Sequence, residues 1–378
     1  VHRRGLFLCL LFALPAGLAP VPATAQTSGT PARPSAQYLP FKRLREGIKG
    51  GFHWDNEWVN NLSGGVQNGS AFDSVFQGGL AVQTGALGLW RSGQIQASVL
   101  GIRSGQPSTK YVGDVQGISN LEASPDSMRL YDLFLHQPLG RTTAMNAGIF
   151  DLNAYFNVTN AAGALLNASF GINPALTLNV PVSTYPQTGY GAMLAHRIGH
   201  WTLKTGLFQG DPAARGSPFT NGYLAIGEVG YHKPGNYPGR YHFGLWSYNQ
   251  PRNGLGPHND WGGYAVVEQV ITRGPHPRTT LFLQLGHAPD RVNLATDYVA
   301  GGVDVHAPVA SRPKDRFTLG FARVELRNLK PETSIEAAYI VFVSRHFFLE
   351  PDIQHVVHPG GDLPDATVIT LRAHLEFY

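Results

Sequence analysis

The sequence has one cysteine, three methionines and only 14% charged residues, and after its first eighteen residues no apolar run is long. Cys9 lies inside that early run, so the rest of the chain has no thiol, no disulfide and no cysteine ligand for a metal. A soluble domain usually carries about a quarter charged residues. No later stretch approaches the roughly 20 apolar residues of a membrane helix. The net charge of +4 falls to +2 without Arg3 and Arg4, too weak a balance to point to nucleic acid. Catalytic signatures are missing as well. There is no Gly-x-Ser-x-Gly elbow, no His-Glu-x-x-His and no phosphate-binding Gly-x-x-x-x-Gly-Lys. His196 and His200 stand four apart, which would suit a metal only on a helix, and the local pattern is that of a strand end. No cofactor, metal or enzymatic activity is expected.

What is present begins with an export signal. His2, Arg3 and Arg4 precede an apolar stretch from Gly5 to Leu18, and Ala23-Thr24-Ala25 offers small residues for cleavage before Gln26. Leu8 stands where a lipoprotein signal would need a small residue. Residues 1–25 are therefore expected to be a removed signal peptide. Residues 26–47, with Pro31, Pro34 and Pro40, read as an N-terminal extension. Residues 48–378 read as one domain.

That domain is rich in glycine (45 residues in the chain) and aromatics (11%), and its polarity alternates residue by residue between Gly, Pro, Asn and Asp clusters. Phe317, Leu319 and Phe321 share one strand face, with Thr318 and Gly320 on the other. Leu349, Ile353 and Val357 lie opposite Glu350, Asp352 and Gln354. The last strand puts Ile369, Leu371, Ala373, Leu375 and Phe377 against Thr370, Arg372, His374 and Glu376, a terminal pattern like that of barrels inserted into an outer membrane. A β-sandwich has the same period. Low charge, export and the absence of helices favour an all-β, transmembrane antiparallel barrel. Every backbone polar group must be paired within the chain in lipid, and a closed sheet does this. Tilted strands of about ten residues with equal allowance for loops give about 16 strands, wide enough for a water-filled lumen.

Several short words sharpen this reading. They are Asn-Leu-Ser-Gly-Gly at 61–65, Gly-Asp-Val-Gln-Gly-Ile-Ser-Asn-Leu-Glu-Ala at 113–123 and Arg-Leu-Tyr-Asp-Leu-Phe-Leu-His-Gln at 129–137. Leu-Asn-Ala-Ser-Phe-Gly at 166–171, Tyr185-Pro186 with Gly189, and Phe-Gln-Gly-Asp-Pro at 208–212 follow. Arg-Pro-Lys-Asp at 312–315 and Glu-Pro-Asp-Ile-Gln-His-Val-Val-His-Pro-Gly-Gly at 350–361 complete the set. In order and spacing the chain resembles the carbohydrate-selective porin (OprB-type) family. The resemblance implies a sixteen-strand outer-membrane porin, a homotrimer, that passes glucose and other sugars into the periplasm. The chain departs from the family at Asn146, often basic, Ile149, often polar, His136, commonly acidic, and His358, usually asparagine. These departures bear on what the narrowing admits.

Between the strand ending near Phe150 and the one starting near Gly189 lies a long, low-charge, Asn/Ala/Pro-rich segment. Unstructured loops of that length are usually functional. Residues 151–188 are expected to fold inward as a constriction loop, with Asn153, Asn167 and Tyr185 among its lumen-facing groups; the alternative is a loop covering the barrel mouth. A sugar needs aromatic surface for its ring faces and polar groups for its hydroxyls, held weakly enough to leave. Channel-lining candidates on the wall are Arg129, Asp132, Phe134 and His136, and Glu350, Asp352 and Gln354. Arg129 has the opposite parity to Asp132, so a bulge or loop position is needed to turn it inward. The expected partners are mono- and small oligosaccharides and outer-membrane lipid. A general or differently selective porin, for acidic sugars or aromatic compounds, and a soluble exported carbohydrate-binding β-protein are the alternatives. An outer-membrane lipase is a weaker one.

Overall fold

The computed structural model describes residues 42–216, 218–249, 259–273 and 277–377. The expected signal peptide and residues 26–41 of the extension lie outside the described residues. The end of the extension forms a short strand, β1 (Lys42–Arg45), paired with β2.

Sixteen strands then follow. They are β2 (Ile48–Ser63), β3 (Gly69–Gln83), β4 (Gln94–Arg103), β5 (Ser127–Pro138), β6 (Thr143–Phe150), β7 (Gly189–Ile198), β8 (Trp201–Gln209) and β9 (Tyr223–Lys233). The second half comprises β10 (Gly239–Asn249), β11 (Asn259–Val270), β12 (Arg278–His287), β13 (Ala295–His306), β14 (Arg316–Leu326), β15 (Glu332–Phe342), β16 (Phe347–Val357) and β17 (Ala366–Phe377). Each pairs antiparallel with its chain neighbour. β17 also pairs with β2, from Thr367 opposite Ser63 to Phe377 opposite Phe52, and closes the ring. No edge is left to satisfy, which is what a sheet in hydrocarbon requires. No helix among the described residues is long and apolar enough to cross a membrane.

The alternation read from the sequence separates outside from inside. On β14, Leu319 and Phe321 are exposed on the outer face while Thr318 and Ala322 are buried inside. On β17, Leu371 points out and Arg372 points in. The lumen is narrowed by the inward-folded loop expected at 151–188 and by a second loop that was not expected. Residues 104–126, between β4 and β5, and 151–188, between β6 and β7, leave the same end of the barrel and turn into it.

The second of these loops packs a hydrophobic core against the inner wall. Leu152, Phe156, Leu165, Phe170 and Leu176 meet Phe208, Trp246, Tyr264, Phe282 and Tyr298, all buried. Phe150 and Phe208 meet edge to face at 5.2 Å, and Phe170 and Phe282 at 6.2 Å. Two wall glycines make room for it. A Cβ on Gly320 would lie 2.7 Å from Leu165, and one on Gly286 1.8 Å from the Asn173 amide. Here the absence of a side chain sets how closely the loop approaches the wall.

Candidate functional site: the channel constriction

The inserted loops carry main-chain N–H groups that no sheet can satisfy. The wall answers with carboxylates at inward positions of its strands. On β15, Glu332 accepts from the N–H groups of Val115 and Gln116, both at 2.9 Å, and of Gly360 at 2.7 Å. Two residues on, Glu336 accepts from Leu166 and Asn167. On β11, Glu268 takes the N–H of Ala161 at 2.6 Å, and on β9 Glu228 takes that of Asn157 at 3.0 Å. Through these main-chain hydrogen bonds the four side chains tie both loops to the barrel.

Asparagines order the longer loop from within. The Asn167 side chain accepts from Ser169 N at 3.1 Å and Asn173 from Ala175 N at 2.8 Å, each capping a short helical turn. Asn179 donates to Ala175 O and Ala295 O and accepts from Leu294 N and Ala295 N. Asn153 donates to Phe156 O and Gly171 O.

The two loops are also tied to each other. Asn120 N donates to Leu166 O at 2.8 Å, Ala168 N to Gly117 O at 2.7 Å, and the Tyr185 hydroxyl to Leu121 O at 2.5 Å. Between them lies a cavity of about 310 Å³. Gln116, Asn120, Asn153, Thr177, Thr184 and Tyr185 supply most of its polar lining, and Ile172, Leu178, Val180 and Pro181 much of its apolar lining. No charged side chain lines it among the described residues. Its size is at the lower end of small-molecule sites, about 300–1,000 Å³.

The candidates named from sequence fall into two groups that the loops connect. On β5 the ladder shifts register: Ser98 pairs with Asp132 and Val99 with Leu130, leaving Tyr131 as the extra residue. This bulge turns Arg129 and Asp132 to the same, inner side despite their opposite parity. Arg129 donates to Gln187 Oε1 at 2.7 Å and to Pro186 O at 3.3 Å, so it holds the end of the longer loop. Asp132 accepts from Ser98 Oγ at 2.6 Å, Phe134 packs on Phe150, and His136 Nδ1 shares a 2.7 Å hydrogen bond with Asn146 Oδ1.

On β16, Glu350, Asp352 and Gln354 all face inward. Gln354 reaches both loops, donating to Ile118 O at 2.7 Å and accepting from Asn167 Nδ2 at 3.4 Å. Glu350 lies opposite Arg372, whose guanidinium donates to Glu57 and to Asn120 Oδ1, the latter at 2.7 Å. Asn153 and Tyr185 border the cavity. Of the other histidines, His196 bonds Thr143 Oγ1 on the barrel wall.

Sequence reasoning missed the 104–126 loop as a second insertion, the four anchoring glutamates, and Gln116 and Asn120. The signals were present. The connection is longer than about 15 residues, a length that is uncommon without function. Each glutamate also stands at an inward position of its strand. In the shorter loop, burial and the neighbouring Glu332 carboxylate push Asp114 up to about 8.

A closed sixteen-strand barrel narrowed by its own loops is the architecture of an outer-membrane porin. The match to the family model "Carbohydrate-selective porin, OprB family" spans residues 67–377, and the chain belongs to that family. Its fold is similar to the high-pH structure of Pseudomonas putida OprB, with a TM-score of 0.79 at 17% identity over 88% of this chain and 94% of that one. The low-pH structure of the same protein superposes with a TM-score of 0.61 at 16% identity, covering 88% and 93%. A mutant of the Rh. blastica porin gives 0.52 at 8% identity over 87% of this chain and 100% of the other. No curated protein sequence matches the chain significantly. Family and barrel together make this a carbohydrate-selective porin and imply an outer-membrane location.

Proposed function

We propose that the cavity between the two inserted loops is the selective narrowing, and that neutral mono- and small oligosaccharides, glucose among them, diffuse through it passively to the periplasm. The uncharged lining carries this reading. Gln116, Asn120, Asn153, Thr184 and Tyr185 offer hydroxyl-matching donors and acceptors, and the adjoining aliphatic surface suits a sugar ring face. The cavity volume favours single hexoses over long chains. Arg129, Asp132, Phe134 and His136 on one side and Glu350, Asp352 and Gln354 on the other are proposed to line the approaches, with Asn167 holding the loop in shape. In planar bilayers, glucose should reduce single-channel conductance in a saturable, weak manner, and Asn120→Ala or Tyr185→Ala should weaken the block. Channels untouched by any sugar would make this a general porin.

The chain is further proposed to work as a homotrimer that associates through the outer face of β2 and β3. On that otherwise apolar face Asn56 bonds Ser74, Asn60 bonds Ser70, each at 3.0 Å, and the Trp54 indole donates to Ser74. Polar groups in a lipid-facing stripe are better placed against another protein surface. A monomer mass by light scattering in mild detergent would remove this part of the reading. Cleavage of residues 1–25 on export is proposed from the sequence pattern, and the mass of the purified mature protein tests it.

A further inference from the structure

Beyond the loops, at the barrel end with the shorter turns, the inner wall from β9 to β14 carries two groups of bases, separated by β11. His232 and Arg240 are directly opposite on β9 and β10. Arg278, His306 and Arg316 form one row across β12, β13 and β14. His242 lies next to His232, their rings 5.7 Å apart. Arg240, Arg278 and Arg316 are the permanent charges of the two groups, and a guanidinium on a lumen wall is best placed beside an anion.

The carboxylates nearby are largely committed. Glu228 is shared by Lys204, His242, Tyr264 and the N–H of Asn157. Asp304 is shared by Arg316, His306 and Thr318. Glu268 holds Ala161 N and meets Arg240 only through one Nη1–Oε2 approach of 3.2 Å. The Arg240 Nε and His242 Nε2 atoms have no hydrogen-bond partner among the described residues. Arg278 is exposed at the rim and makes no ion pair among the described residues. The tip of the longer loop sits beside the crescent, since Arg316 also donates to the carbonyls of Asn160 and Ala161 at 2.8 and 2.9 Å. A solute leaving the narrowing on this side meets the bases next.

We propose that this crescent, with Arg240 and His232 at one end and Arg278 and His306 at the other, binds an oxyanion, the carboxylate of an acidic sugar or a phosphate. The guanidinium fork matches both groups in geometry and charge. The site lies apart from the uncharged cavity, so the channel handles two solute classes at two positions along one path. It gives the channel a directional preference, because an anion arriving at the short-turn mouth reaches the crescent without crossing the constriction.

The test is single-channel conductance in KCl with glucuronate, or separately inorganic phosphate, added to one side. Block is expected at lower concentration from the short-turn side than from the long-loop side. An Arg240→Gln, Arg278→Gln double variant should raise the half-blocking anion concentration about tenfold while leaving the effect of glucose unchanged. Arg240→Lys with Arg278→Lys, which keeps the charge, should retain part of the block, and normal conductance in KCl shows that each variant is folded. Block by phosphate without glucuronate assigns the site to free phosphate, and block by both assigns it to the shared oxyanion. Anion block that is equal from both sides, or unchanged in the double glutamine variant, overturns the proposal. A channel indifferent to glucose but blocked by anions would fail the neutral-sugar reading and leave this one standing.

Discussion

Replacing Glu332 by alanine should free the shorter inserted loop. The side chain accepts three main-chain hydrogen bonds, from Val115, Gln116 and Gly360, at 2.9, 2.9 and 2.7 Å. A buried donor left without an acceptor costs about 1–3 kcal/mol, so three would cost about 3–9 kcal/mol if all stayed dry. Two effects pull toward the lower figure. Water from the lumen can reach some of the freed groups, and removing Glu332 relieves its repulsion of Asp114. Taking about 3 kcal/mol, local opening of the segment around residues 115 and 116 becomes about a hundredfold more frequent. Hydrogen exchange on the detergent-solubilised protein reads this directly at the Val115 and Gln116 amides. Conductance should rise and become noisier as the loop leaves the lumen. Glu332→Gln, which keeps an acceptor but loses the charge, should fall between. Amide exchange unchanged in the alanine variant would refute the idea that this carboxylate anchors the loop.

Three further outcomes are expected. Phe321→Arg, on the outer face midway along β14, should destabilise the barrel in lipid vesicles by about 2–4 kcal/mol, and equal refolding stability would contradict the assigned face. Gly320→Val should push Leu165 and Phe170 off the wall, raising conductance with the barrel intact; an unchanged pore would mean the loop is not in contact there. Asp114 titrates at about 8 in the folded chain against an ordinary 3.8, so between these values the folded state holds the extra proton and stability falls as pH rises. Protection of the 104–126 loop should therefore weaken from pH 5 to pH 8 in the native protein, and Asp114→Asn should flatten that trend.

Much of the fold was legible because lipid and lumen impose opposite chemistry on alternate residues. Phe317, Leu319 and Phe321 against Thr318, and Leu371 against Arg372, sort correctly from the pattern alone. The constriction loop was visible as a long, charge-poor gap between strands. Its partner at 104–126 was not separated from the barrel wall, since its words read as family signature before they read as a second insertion. Arg129 shows a different limit. Its parity pointed outward, and only the bulge at Tyr131 turns it in, a feature of pairing with β4 that no single strand reveals. Asn167 and Asn173 illustrate a third. The same amide can meet a solute or cap a turn, and the tertiary contacts decide which.

The central claim is that the two inserted loops, meeting around the uncharged cavity, set what passes. Liposome swelling with glucose, a disaccharide and a trisaccharide tests it most directly, comparing the intact protein with a variant in which residues 159–172 are replaced by a short Gly/Ser linker. Fast glucose entry with steep slowing for the larger sugars, and loss of that slowing in the variant, is the expected result. Identical size dependence in the two proteins would contradict it and move the selective narrowing elsewhere in the barrel.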